Sequence, residues 1–147
     1  MITGNKGEWS EIYTLLKVIA DKQLFAGDSS LNKIENLIFP IIKVLRDESN
    51  GTFEFSYDND LVIVKNNNEE IRISVNEFKK QAHFLLTKLK EKTSATFSIP
   101  EIEVKTFRFV FPFVILTQIT FILIFKTYAG IIRYTSTRDA FRMMLMI

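Results

Sequence analysis

Thr52-Phe53-Glu54-Phe55-Ser56-Tyr57, Asp58-Asn59-Asp60, Leu61-Val62-Ile63-Val64-Lys65, Asn66-Asn67-Asn68 and Ile71-Arg72-Ile73-Ser74-Val75 form the stretch on which the fold class turns. Phe53, Phe55 and Tyr57 alternate with Glu54 and Ser56, and Ile71, Ile73 and Val75 alternate with Arg72 and Ser74. A period of two places one set of side chains on one face of a strand. Asp58-Asn59-Asp60 and the Asn triplet are turn formers, so three strands joined by tight turns make an antiparallel β-meander. Asp58, Asp60 and Glu69 also match positions 1, 3 and 12 of a calcium-loop pattern. Val62 and Ile63 stand where that loop needs an oxygen ligand and a glycine, so the hairpin reading prevails.

The flanks have helical spacing. After the meander, Asn76 can cap a helix that buries Phe78, Ala82, Leu85, Leu86 and Leu89 and turns Lys79, Lys80, Lys88, Lys90 and Lys92 mostly to water. Ser98-Ile99-Pro100-Glu101 fits a capping box with proline in the first turn and announces a further helix. Before the meander, Trp9, Ile12, Tyr13, Leu16 and Ala20 predict an amphipathic helix over 7–21. Leu31, Ile34, Leu37, Ile38, Ile41, Ile42 and Leu45 predict another to about Asp47, capped by Ser29 or Ser30 and kinked at Pro40. The expected class is α/β, of the α+β kind: N-terminal helices, an antiparallel meander and a following helix.

At 147 residues the chain fits one compact domain. Nineteen Lys and Arg against 17 Asp and Glu is too even for a histone-like coat. The absence of cysteine removes disulfide scaffolds, thiol nucleophiles and Cys-ligated zinc, and suits a reducing cytoplasm. His83 is the single histidine, which leaves a His-based metal cage or a Ser/His/Asp triad hard to build. The averages conceal a change of composition near Val104. Basic and acidic residues number 13 and 16 before residue 105, and 6 and 1 after it. The division expected is therefore 1–104 and 105–147.

The second segment is apolar: Phe, Leu, Ile, Met and Val make up 22 of its 43 residues. Residues 109–125 carry no charge and are flanked by Arg108 and Lys126, but a run of this length is at the lower limit for spanning a membrane. All five residue types have T at the middle codon position, which favours an out-of-frame or junction product over a membrane anchor. The first 104 residues offer this tail no obvious complementary surface.

Glu8 and Glu11 lie three residues apart on a helix, where both carboxylates share a side and could bind Mg²⁺ together. Two surface glutamates are the plainer account. A solvated or packing histidine is the plainer account of His83, and a solvated lysine face that of residues 79–92.

Gly4-Asn5-Lys6-Gly7-Glu8-Trp9-Ser10-Glu11-Ile12-Tyr13, Leu24-Phe25-Ala26-Gly27-Asp28, Leu31-Asn32-Lys33-Ile34-Glu35 and Phe39-Pro40-Ile41-Ile42-Lys43 resemble, in order and spacing, the N-terminal part of HpaII-type restriction endonucleases. The resemblance covers residues 3–104. It implies a type II, Mg²⁺-dependent nuclease that cuts double-stranded DNA at CCGG in a restriction-modification system, alongside a cognate DNA methyltransferase. It also implies a core of the PD-(D/E)xK kind. On that footing Glu8 and Glu11 are the candidate metal ligands, and Lys6, Lys79 and Lys80 the candidate DNA contacts.

The chain departs from the family pattern further on. An acidic residue opening an alternating strand, followed by a strand of the Gly-Phe-Ser-Ile-Lys-Ser kind, is not recognisable: Gln118 stands where the acid is sought, and Asp139 is the tail's one carboxylate. No catalytic residue is assigned. The expectation is a truncated, inactive HpaII-like endonuclease, with a non-catalytic DNA-binding or assembly module and a small membrane-anchored protein as the alternatives.

Overall fold

A computed structural model of the chain describes residues 3–30, 32–48, 51–67, 69–103, 121–127 and 130–135. In chain order these form β1 (Thr3–Asn5), α1 (Lys6–Asp21), β2 (Gln23–Gly27), β3 (Lys33–Glu48), β4 (Gly51–Asp58) and β5 (Leu61–Asn66). There follow β6 (Glu69–Ser74), α2 (Val75–Glu91), β7 (Thr96–Ser98), a 3-10 turn over Pro100–Glu103, β8 (Phe121–Thr127) and β9 (Gly130–Thr135). The class is mixed α/β. An antiparallel sheet runs in the order β6-β5-β4-β3-β8-β9, with β2 also paired to β3, and β1 with β7 forms a separate ribbon.

The meander forms as its alternation dictates. Phe55 lies opposite Val64 and Tyr57 opposite Val62, and these in turn face Ile71 and Ile73 of β6. Phe53, Phe55, Val62 and Val64, with Val44 of β3, are buried in one cluster with the apolar sides of both helices. Full burial of a side chain such as Phe55 contributes about 3 kcal/mol. The opposite face mixes charge with half-buried Leu45 and Ile63: Glu54 sits between Leu45 and Lys65, Lys65 opposite Glu70, and Ile63 between Ser56 and Arg72. Lys43 pairs with Glu54 at 2.9 Å, and Glu70 accepts from Lys65 at 3.3 Å and Arg72 at 3.2 Å. A two-layer arrangement results, with the helices packed on one face of the sheet and ion pairs among half-buried apolar residues on the other.

Local chemistry explains how α1 is held. The Asn5 side chain accepts from the Glu8 amide at 3.0 Å, and the Glu8 carboxylate accepts from the Asn5 amide at 2.7 Å, closing a capping box. Trp9 is buried, donates from Nε1 to the Phe97 carbonyl at 3.1 Å and stacks on the Phe97 ring. That contact ties α1 to β7, and β7 to β1, so the two ends of the first hundred residues meet.

Four expectations are corrected. The helix expected over 31–47 is strand β3. Its many β-branched residues disfavour helix, and Pro40 removes the amide a helix interior would need. As a strand residue, Pro40 closes the β2–β3 ladder opposite Gln23, the first residue of β2, just before the register shift at Ile41/Lys43 in the pairing of β3 with β8, a place where a missing donor is tolerated. Ser29 and Ser30 therefore cap no helix. They sit in the β2–β3 turn, where the Asp28 carboxylate accepts from the Ser30 and Asn32 amides, both at 2.8 Å.

Ser74, not Asn76, caps α2, its hydroxyl accepting from the Asn76 amide at 3.2 Å. The helix announced at Pro100 is not among these corrections: Pro100–Glu103 form a 3-10 turn, and the continuation from 104 lies outside the described residues. Finally, residues 121–127 and 130–135 of the tail have a place on the sheet. β8 pairs with β3 over Ile41 to Arg46, and β9 pairs with β8. The surface it meets is the open backbone edge of β3, which composition could not reveal while that segment read as a helix. Residues 121–125 of the uncharged run are strand, and among the described residues no helix is long and apolar enough to cross a membrane.

Candidate nucleic-acid interface

Helices α1 and α2 pack side by side over the sheet. Small residues permit the approach: Ala20 and Ala82 are both buried where the helices meet. Above them lies a cleft of about 180 Å³. Tyr13, Lys17 and Asp21 line it from α1, each four residues from the next, and Lys79 and His83, also four apart, line it from α2. Four-residue spacing stacks side chains on one helix face, so two such rows confront each other across the cleft. Lys17 forms an ion pair with Asp21 within it.

The candidate residues separate into three places. Lys79 lines the cleft, while Lys80 is exposed beside it on α2. Lys6 is exposed at the start of α1, three residues before the buried Trp9. Glu8 is committed to the capping box, and Glu11 is 9% exposed with a partner inside the chain. Among the described residues no group of three His, Asp or Glu side chains is arranged to hold a metal ion. Glu8 and Glu11 are thus each engaged within the chain, and among the described residues no third carboxylate or imidazole joins them in a cluster.

Lys17, Tyr13, Asp21 and His83 as neighbours of Lys79 were not anticipated. Their four-residue spacings are visible in the sequence, but which two helices pack together is not. The charge of the α2 surface is favourable to an anion: Lys79, Lys80 and Lys90 are exposed, with Lys88 partly so and paired to Glu91 at 3.5 Å. Glu77 in the first turn and Lys88 and Lys90 in the last complement the helix dipole, so part of this charge also stabilises α2.

A mixed α/β unit with a lysine-bearing helical face defines no chemistry unaided. The family model for the HpaII restriction endonuclease matches residues 5–114, and the chain belongs to this family. It is 42% identical over 106 residues to the type II restriction enzyme HpaII of Haemophilus parainfluenzae, an alignment covering 69% of this chain and 29% of that relative. The chain thus spans under a third of that relative's length. No solved structure matches.

Proposed function

We propose that the chain is the N-terminal region of an HpaII-like type II restriction endonuclease, that it contributes contacts to double-stranded DNA, and that these 147 residues alone do not cut it. The observation carrying this reading is the 42% identity to a stretch amounting to 29% of HpaII. The absence from residues 105–147 of a recognisable acidic-then-lysine strand pair supports the second half of it. Phosphodiester hydrolysis of the expected kind needs carboxylates to hold Mg²⁺ and a lysine to organise the attacking water. The family setting is Mg²⁺-dependent cleavage at CCGG in the cytoplasm beside a cognate methyltransferase.

In this reading residues 1–104 are the endonuclease region and 105–147 a divergent tail, although the family match runs ten residues past that division. Lys6, Lys79 and Lys80 contact phosphates. Mg²⁺ at Glu8 and Glu11 would compete with the α1 cap for Glu8 and with the contact Glu11 makes inside the chain, so calorimetric titration with Mg²⁺ is expected to give no saturable heat that Glu11→Ala removes. The test of the whole reading has two arms. Duplex binding should weaken as salt rises, and Lys79→Gln and Lys80→Gln should each lower the salt slope by about 1. A CCGG duplex incubated with the purified chain and Mg²⁺ should remain intact; specific cutting would overturn the proposal of inactivity.

A further inference from the structure

We propose that the cleft between α1 and α2 binds a phosphate group, contributed by the backbone of double-stranded DNA, through Lys17, Lys79 and His83. The DNA source rests on the reading above; the phosphate chemistry rests on the cleft. Five groups with titratable side chains face it: Tyr13, Lys17, Asp21, Lys79 and His83. Asp21 is acceptor-only, and its charge is already met by Lys17 within the same helix. What remains is donor-rich: the Lys79 ammonium, the N–H donors of Lys17 that Asp21 does not take, a phenol hydroxyl and an imidazole, drawn from two helices that approach at Ala20 and Ala82. A tetrahedral oxyanion offers several acceptor oxygens to such a convergent set, and ionised donors make the stronger bonds.

The volume suits the ligand. About 180 Å³ is room for a phosphate with its adjoining ester carbons. Of the lysines exposed on α2, Lys79 lines the cleft and Lys90 does not, so the proposal separates them although both add the same charge to the helix surface.

His83 is the single histidine, so its imidazole proton signals in an NMR spectrum of the full chain report this cleft without ambiguity. Titration with inorganic phosphate is expected to move those signals saturably. Lys79→Gln should weaken the binding by about fivefold and Lys90→Gln should leave it unchanged. Duplex DNA should move the same signals and compete with phosphate. If phosphate saturates the cleft while the chain binds no duplex, the phosphate site stands and the DNA reading falls. If duplex binds in a salt-dependent manner but leaves His83 unmoved, the DNA source is refuted. An unsaturable response to phosphate, or equal effects of Lys79→Gln and Lys90→Gln, would overturn the site itself.

Discussion

Tyr57 carries a hydroxyl that is buried on the inner side of the sheet and meets no hydrogen-bond partner among the described residues. Burial, reinforced by the charge of Asp21, pushes the phenol well above its ordinary pKa. A folded-state pKa raised above the unfolded value means that the contribution to stability is fully present below the unfolded pKa, near 10, and is lost as pH rises through the folded value. Tyr57→Phe should therefore raise Tm, by up to about 1 kcal/mol of stability, and should flatten the alkaline limb of a stability-versus-pH curve. A lowered Tm would mean that the hydroxyl is bonded. Asp28 is the opposite case: bonds from the Asn32 amide and side chain, and from the Ser30 amide, hold its carboxyl below the usual range. Its contribution is present above the unfolded carboxylate pKa and lost as pH falls through the folded one. Asp28→Asn should accordingly reduce acid sensitivity, read by thermal melts below about pH 4. At the start of α1, Asn5→Ala removes one partner of the capping box and should cost about 1 kcal/mol in urea denaturation.

Among the elements, β3 is where local and global preferences part. Ile34, Ile38 and Ile42 are between 37% and 41% exposed, although a helix over the same residues would have turned them inward with Ile41 and Leu45. The apolar residues of 31–45 satisfy a 3.6-residue period and also fill a strand, so periodicity alone does not discriminate. What discriminates is the supply of partners: β4 on one side of its second half, β8 on the other, and β2 on its first half. The β3–β4 connection depends on Gly51, which has φ +128° and would place an added Cβ 2.9 Å from Asn67 Oδ1. Gly51→Ala should destabilise the chain by about 1–3 kcal/mol through backbone strain, with the midpoint of urea denaturation lowered. An unchanged midpoint would show that the turn adapts without strain. By contrast the β4–β5 turn was legible, since Asn59 tolerates its positive φ in the way Asn is selected to do.

For the whole molecule, the change of composition near Val104 and the pairing of the sheet do not coincide. A fragment of residues 1–104 lacks β8 and β9 and leaves the β3 edge from Ile41 to Arg46 unpaired. Such an edge is a template for association, so the fragment should melt less cooperatively than the full chain and should sediment partly as oligomers. A sharp, monomeric transition would show that β8 contributes nothing to stability. The sequence by itself determined the meander, α1, α2 and the family, because alternation, turn chemistry and a run such as Gly4 to Tyr13 are properties of neighbouring residues. Only the tertiary structure decided that 33–48 is strand, that β1 and β7 bring Thr3 beside Ser98, and that Lys17 faces the row of Lys79 and His83. Each of these depends on a partner distant in sequence, whose unpaired backbone edge or small-residue surface exists only once the chain has folded.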